Sequence, residues 1–333
     1  MTRRKPDAHQ IIAFLKGLAD EEWVRRSECR HWPRFLFHYT AITNVATILQ
    51  EGYLYSRTGA ECRKLLSTSS GDPGILSQTD DYVKDCARLY FRPRTPTQYH
   101  AEGIRSKENL SSNYPDAHCP VPIFLLFDAP DVLTRSDSRF SSGNLRWLGR
   151  SDLQLCSTAA ELMDFPWRKI YHNTWFSRHE TDIIFHRNAE VVVPQRLPID
   201  ALRYVHCRSQ AEKDTLRFLL PPKLWEQYRH RVTATSSTDF YFRKHTYIRK
   251  ADLFADRCLF VFSPETTSPG PFTLTMELDD GDRVQTRVAE NYLVSRNNFQ
   301  LDVPFHSDFY RYIVRLYLDD HLAYAGIYDG IPF

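Results

Sequence analysis

The sequence predicts an α+β domain followed by a small all-β domain of the sandwich, immunoglobulin-like kind. Three observations predict it. The chain has 333 residues, more than an average single domain, so two units are expected. Its first two-thirds alternate apolar strand-like runs with apolar residues at helical spacing. Beyond residue 238 the apolar residues fall into the alternation of half-buried strands. The expected boundaries are a helical extension at 1–34, the α+β domain at 35–220, a linker at 221–238 and the all-β domain at 239–333.

The elements follow in order. Residues 9–26 place Ile11, Phe14, Leu15 and Leu18 on one helical face. RFLFHYT (34–40) is an aromatic strand ending in His38, Tyr39 and Thr40. Thr43 or Asn44 can cap the next helix, which buries Val45, Ile48 and Leu49, and Gly52 is placed to end it. Residues 55–80 are polar, with Ser, Thr, Gly and Pro at 67–74, and read as a long loop. VPIFLLFDA (121–129) is a continuous apolar run that suits a central strand. In DFPWRKIYHNTWF (164–176), Asp164 is placed as a helix cap and Pro166 in the first turn. TDIIFH (181–186) and AEVVVP (189–194) read as β-rich runs, IDALRYVHCRS as a further strand and SQAEKDTLRFLL as a helix. TLTMELDDGDRVQTRV and YRYIVRLYLDDHLAYAGIYDG each read as two strands around an Asp-Asp turn.

Composition narrows the function classes. Hydrophobic residues make up 42% of the chain, enough for a packed core. From residue 232 onward 10 Lys and Arg face 14 Asp and Glu, which leaves 33 against 27 before it. The first region is therefore the better candidate for a polyanionic partner. The seven cysteines are dispersed without a C-x-x-C pair, so neither a disulfide framework nor a zinc site is indicated, and reduced thiols suit the cytoplasm. The spacing of His172, His179 and His186 fits no metal motif, and no metal is expected. The apolar run near the start is short and interrupted by Lys16, and no stretch has the roughly 18 apolar residues of a membrane span. No membrane partner is expected.

One segment carries binding chemistry by itself. In YFRPRTP (90–96), Arg92 and Arg94 are two apart and share a face on an extended chain, beside Tyr90 and Phe91. Arginine with aromatic surface suits phosphate contact and base stacking. His186, Arg187 and Asn188, just before Glu190, add a second polar cluster, with His179 and Glu180 close by.

HYTAITNVATILQEGYL, DYV followed by YFRPRTPTQY, RFSSGNL, DFPWRKI and AEVVVP occur in one order over about residues 35–210. In that order and spacing the series resembles the DarT family, ADP-ribosyltransferase toxins that modify nucleic-acid bases. The resemblance implies an ADP-ribosyltransferase fold and NAD+ as co-substrate. It implies Glu190 as the catalytic carboxylate, with His38, Tyr39, Thr40 and Asn44 at the cofactor; Asn44 can instead serve only its helix. The family also uses an arginine between the first helix and DYV, for which Arg63 is the nearest candidate, although the stretch does not align cleanly. The loop before the glutamate, His186 to Asn188, is expected to read the acceptor with Tyr90, Arg92 and Arg94. The implied partners are single-stranded DNA or RNA and a neutralising antitoxin of the macrodomain or an equivalent hydrolase kind. The all-β domain could bind substrate, antitoxin or a chaperone. Two other readings stay open: a non-catalytic nucleic-acid-binding module on a degenerate transferase fold, and a transferase that modifies proteins.

Overall fold

The computed structural model describes residues 3–69, 73–110, 117–148, 153–177, 179–235, 239–306 and 308–330. Residues 70–72 of the expected loop and 236–238 of the expected linker lie outside them. Sixteen strands are formed among the described residues. In the α+β part they are β1 (Phe35–Ala41), β2 (Tyr53–Tyr55), β3 (Cys86–Tyr90), β4 (Pro122–Asp128), β5 (Arg139–Phe140), β6 (Glu190–Pro194), β7 (Arg196–Pro198), β8 (Leu202–Cys207) and β9 (Val232–Ala234). In the second part they are β10 (Ile248–Leu253), β11 (Arg257–Phe262), β12 (Phe272–Asp279), β13 (Val284–Tyr292), β14 (Gln300–Pro304), β15 (Arg311–Leu318) and β16 (His321–Asp329).

A seven-stranded sheet of order β5-β6-β3-β1-β4-β8-β9 carries the first part, antiparallel except at β8–β9. The apolar run around residue 125 forms β4, which is buried from Pro122 to Phe127 because both of its faces are covered. The helix Ile42–Glu51 buries Val45, Ile48 and Leu49 against the sheet. It stops at Gly52, whose positive φ of 75° lets its N–H reach back to Ile48 O at 3.0 Å. Asn44 does not cap this helix, because Ala41 holds that position.

Two further elements differ from expectation. TDIIFH is a helix, Thr181–His186, not a strand. The outer edge of β6 is already taken by β5, and Asp182 and His186 pair one turn apart at 3.2 Å. Asp164 ends the helix Ala159–Met163 rather than starting one, since Thr158 and Glu161 already form that helix's capping box. Pro166 then precedes the short helix Trp167–Ile170.

The second part is all-β, in two antiparallel sheets of order β10-β11-β14 and β13-β12-β15-β16. Their inner faces meet where Phe260 packs on Tyr324 at 5.5 Å and Cys258 Sγ lies 3.3 Å from the Tyr312 hydroxyl. The boundary between the parts is not a free linker. Residues 222–228 form a helix, and β9 adds to the large sheet beside β8. The helix Gln210–Leu219 packs against both β10 and β16. Its N-cap Ser209 donates to Ile248 O at 2.6 Å, and Thr215 Oγ1 accepts from Ala325 N at 3.1 Å. One apolar cluster runs from Ile11 to Tyr324 through this seam.

Candidate active site

The large sheet is split beside its middle. β1 pairs with β4 along its whole length but with β3 only at Phe37–Tyr90. Two side chains span the place where β1, β3 and β6 converge. His38 Nδ1 lies 2.9 Å from Arg88 O. A carbonyl only accepts, so Nδ1 carries the proton and Nε2 keeps its lone pair. Burial drives the His38 pKa down to about 4, so the ring is neutral at physiological pH. The Arg88 guanidinium in turn grips Glu190: Nε and Nη2 each lie 2.7 Å from Glu190 Oε2. That fork-like contact on one oxygen is a charge-assisted pair.

Glu190 is 1% exposed at the start of β6. Burial raises its carboxyl above the ordinary range, and Arg88 and a backbone N–H pull it back down. That N–H belongs to Leu145, 3.1 Å from Glu190 Oε1. Both carboxylate oxygens are therefore held. Tyr90, the register partner of Glu190, sits beside the pair, its hydroxyl pKa raised by burial and by the Glu190 charge.

The FSSGNL motif builds this donor. Phe140 pairs with Val191, and Ser141 N donates to Glu190 O at 2.8 Å. Ser141 Oγ closes the turn on Gly143 O at 2.7 Å, which delivers Leu145 N to the carboxylate. Gly143 is required by space: a Cβ there would meet the Phe185 ring at 2.1 Å. His186 Nδ1 donates to Ser142 O at 2.6 Å, so the helix before Glu190 and the loop around it brace each other.

The remaining candidates take different places. Alternation along β1 sends Tyr39 to the face opposite His38 and Thr40, where its ring packs on Phe124 at 5.4 Å. Asn44 is buried and fully engaged. Its Nδ2 donates to Thr40 Oγ1 at 3.0 Å and to Thr68 O at 2.8 Å, and its Oδ1 accepts from Ser67 N, Ser67 Oγ and Thr68 N. Asn44 thus pins the 67–68 loop to the end of β1. Arg63 is exposed and lies over the Tyr55 ring at 5.1 Å. Among the described residues the arginine in contact with Glu190 is Arg88, not Arg63.

The YFRPRTP segment is not a flat platform. Arg92 is 0% exposed and stacks over Trp32 at 4.6 Å. It donates to the carbonyls of Pro93, Ile170 and His172 and to Asn173 Oδ1. All of its donor nitrogens are used inside the protein, so it holds a loop instead of facing a polymer. Arg94 turns away from it at a positive φ of 56° and keeps a partly exposed side chain. Arg187 is 5% exposed, lies over Phe176 at 4.5 Å and donates to Arg94 O at 3.0 Å. Asn188 is buried and donates to Ile184 O at 2.9 Å, closing the preceding helix.

Arg88 and the Leu145 N–H escape the sequence reading. A signal for Arg88 existed: an arginine inside the apolar run CARLYF needs a buried counter-charge, and a lone glutamate opens another buried strand. Leu145 contributes only backbone, which no residue type announces. Among the described residues no cluster of three or more His, Cys, Asp or Glu could hold a metal, and no helix is long and apolar enough to cross a membrane.

Comparison with known proteins bears on the family. No curated protein matches the chain in sequence. Thermus sp. 2.9 DarT in complex with ADP-ribosylated ssDNA is 17% identical with a TM-score of 0.50, over 63% of this chain and 97% of that one, a likeness of fold. The same protein in complex with NAD+ gives 18%, 0.47, 63% and 98%. Thermosipho africanus DarTG in complex with ADP-ribose gives 17%, 0.49, 66% and 53%. A sequence model described as "ssDNA thymidine ADP-ribosyltransferase, DarT" matches residues 37–242. That stretch is well over half of the chain and includes His38, Arg88, Leu145 and Glu190: the chain belongs to the DarT family of ADP-ribosyltransferases.

Proposed function

We propose that this protein transfers ADP-ribose from NAD+ to a base of single-stranded DNA, with Glu190 as the catalytic residue. The observation that carries the reading is the buried Glu190 carboxylate, held by Arg88 and the Leu145 N–H beside the split between β1 and β3. The family description names thymidine as the acceptor. It lends no support to RNA, and nothing else favours RNA or a chaperone.

The residues at the split fit the dinucleotide. His38 Nε2 is an acceptor for a ribose hydroxyl, and the Thr40 hydroxyl can donate while accepting from Asn44. NAD+ supplies an anomeric carbon whose bond to nicotinamide breaks with the electron pair leaving on nicotinamide. Glu190 stabilises the positive charge that develops on the ribose. It also takes the proton from the base nitrogen as that nitrogen bonds to the anomeric carbon. Arg88 fixes the carboxylate and opposes the rise that burial imposes on its pKa. Tyr90, next to Glu190, offers a ring at the acceptor's position, and Arg94, His186, Arg187 and Asn188 shape the approach. A transferase that marks DNA bases blocks templates, so the proposed cellular role is that of a toxin restrained by an antitoxin that removes the mark.

The test uses NAD+ labelled on the ADP-ribose, presented separately with single-stranded DNA, RNA and protein. Label on DNA is expected, reduced by about 10²–10³-fold in Glu190→Gln with unchanged circular dichroism. Label on protein or RNA alone, or full activity in Glu190→Gln, overturns the reading.

A further inference from the structure

We propose that Arg94, backed by Arg187, is a phosphate site that holds the DNA backbone next to the acceptor nucleotide, with Glu28 as its displaceable counter-ion. The inference rests on the DNA-modifying reading above and gives that site a second anchor point.

Position comes first. Arg94 lies four residues beyond Tyr90 at the end of β3, and Arg187 lies three before Glu190 at the start of β6. Tyr90 and Glu190 are register partners, so both arginines leave the sheet at the end where the carboxylate sits. Their backbones meet there, with Arg187 Nη2 donating to Arg94 O at 3.0 Å.

Charge comes second. Three guanidiniums, of Arg92, Arg94 and Arg187, crowd one region. Burial and the neighbouring arginines push the Arg92 pKa well down, and burial followed by Arg94 lowers that of Arg187 to about 10. Arg92 is saturated by carbonyls, but Arg94 Nε and Arg187 Nε are buried with no hydrogen-bond partner among the described residues, and so is His172 Nδ1 close by. The carboxylate at hand is Glu28, 3.7 Å from Arg94 Nη1, more than half exposed and already accepting from Asn173 Nδ2 at 2.7 Å. Such a pair is loose and open to exchange. The partly exposed end of the Arg94 guanidinium, held by one weak counter-ion in a cationic surrounding, suits a phosphodiester.

Backbone comes third. Arg94 adopts a left-handed φ of 56°, which residues with a Cβ rarely do. The conformation is held by Gln98, whose Oε1 accepts from Arg94 N at 2.7 Å, and the guanidinium is supported over the Phe242 ring at 5.1 Å. The segment is shaped to present Arg94 while Arg92 turns inward. Arg187 is too buried to reach a polymer itself and supplies field and support from behind.

The experiment measures binding of a thymidine-containing single-stranded DNA oligonucleotide to the full chain by fluorescence anisotropy over a range of salt. Arg94→Gln is expected to weaken binding about tenfold and to reduce the salt slope by about one. Glu28→Gln is expected to act with the opposite sign and to tighten binding several-fold, which loss of structure cannot imitate. Replacing single phosphates by neutral methylphosphonates should identify one linkage whose neutralisation costs the wild type about tenfold and costs Arg94→Gln nothing more. Unchanged affinity in both variants overturns the site. A loss that falls on NAD+ affinity in place of DNA affinity assigns the cluster to the dinucleotide pyrophosphate and also overturns it. If the wild type binds DNA in this way but transfers no label to it, the reading of the reaction fails while the phosphate site stands.

Discussion

Arg88 does two jobs with one residue: its carbonyl receives His38 and its guanidinium holds Glu190. The pH dependence of the reaction follows from this. Burial raises the Glu190 carboxyl and Arg88 opposes the rise. Removing the cation in Arg88→Gln should lift the carboxyl pKa further. The acid limb of the kcat/KM profile then moves to higher pH, while Arg88→Lys brings it part of the way back. An unmoved limb in Arg88→Gln rules out this role. At this scale the sequence was legible in placement: the motifs put His38 and Glu190 where β1, β3 and β6 converge, linked through Arg88. It misled where burial decides the role. Arg92 and Arg94 look equivalent two residues apart, yet one is enclosed against Trp32 and four acceptors while the other keeps an exposed edge. Asn44 likewise reads as a cap or ligand until its amide is seen to be saturated by the 67–68 loop.

Among the elements, the loop from Phe140 to Leu145 matters most, because its backbone alone supplies the donor that positions the Glu190 carboxylate. Gly143→Ala places a methyl group inside the Phe185 ring. Either the loop or the helix Thr181–His186 must shift, and a donor misplaced by about 1 Å costs about 10²-fold in rate. We expect kcat to fall by about that factor while the melting temperature changes little, and an unchanged kcat disposes of the loop's role. Strong patterns translated directly into elements: β4, the helix Gln210–Leu219 and the β12–β13 and β15–β16 hairpins all lie where period and turn residues put them. The short apolar run TDIIFH did not. Six residues cannot distinguish strand from helix by period, and occupancy of the β6 edge by β5 is a tertiary fact.

For the whole molecule, the seam between the two parts is polar as well as apolar. Buried Glu102 accepts from Phe242 N at 3.0 Å, Arg243 N at 2.8 Å and Gln98 Nε2 at 2.8 Å. Buried Arg208 pairs with Glu212 through Nε at 2.9 Å. The sequence announced a change of pattern near residue 238 but not this seam, because Glu102 meets Phe242 and Arg243 from 140 and 141 residues away. A chain truncated after residue 235 would leave Glu102 and one face of the helix Gln210–Leu219 uncovered. We expect it to be insoluble or to melt without a cooperative transition; a stable, active fragment refutes the seam's importance. Four histidines also tie stability to pH. Burial depresses His38 and His206 to about 4, and His118 and His245 to about 3. Unfolded histidines take up protons near pH 6.5, so the stability these groups confer is present above that value and is lost as pH falls toward 4. The raised carboxyls of Glu190 and Glu212 work in the opposite sense. We expect the histidines to dominate and the melting temperature to fall by about 5 °C or more between pH 7 and pH 5, and a flat profile contradicts this.

Phe242, which lies under Arg94 and whose backbone is anchored on Glu102, connects the seam to Arg94. A protease that nicks the chain between residues 235 and 240 would therefore not release an unrestrained enzyme from its tail. Losing the tail after such a cut would take away the Phe242 ring that supports Arg94 and the donors that satisfy buried Glu102. The β-rich part is thus built into the surroundings of Arg94 rather than tied on as a separable tail.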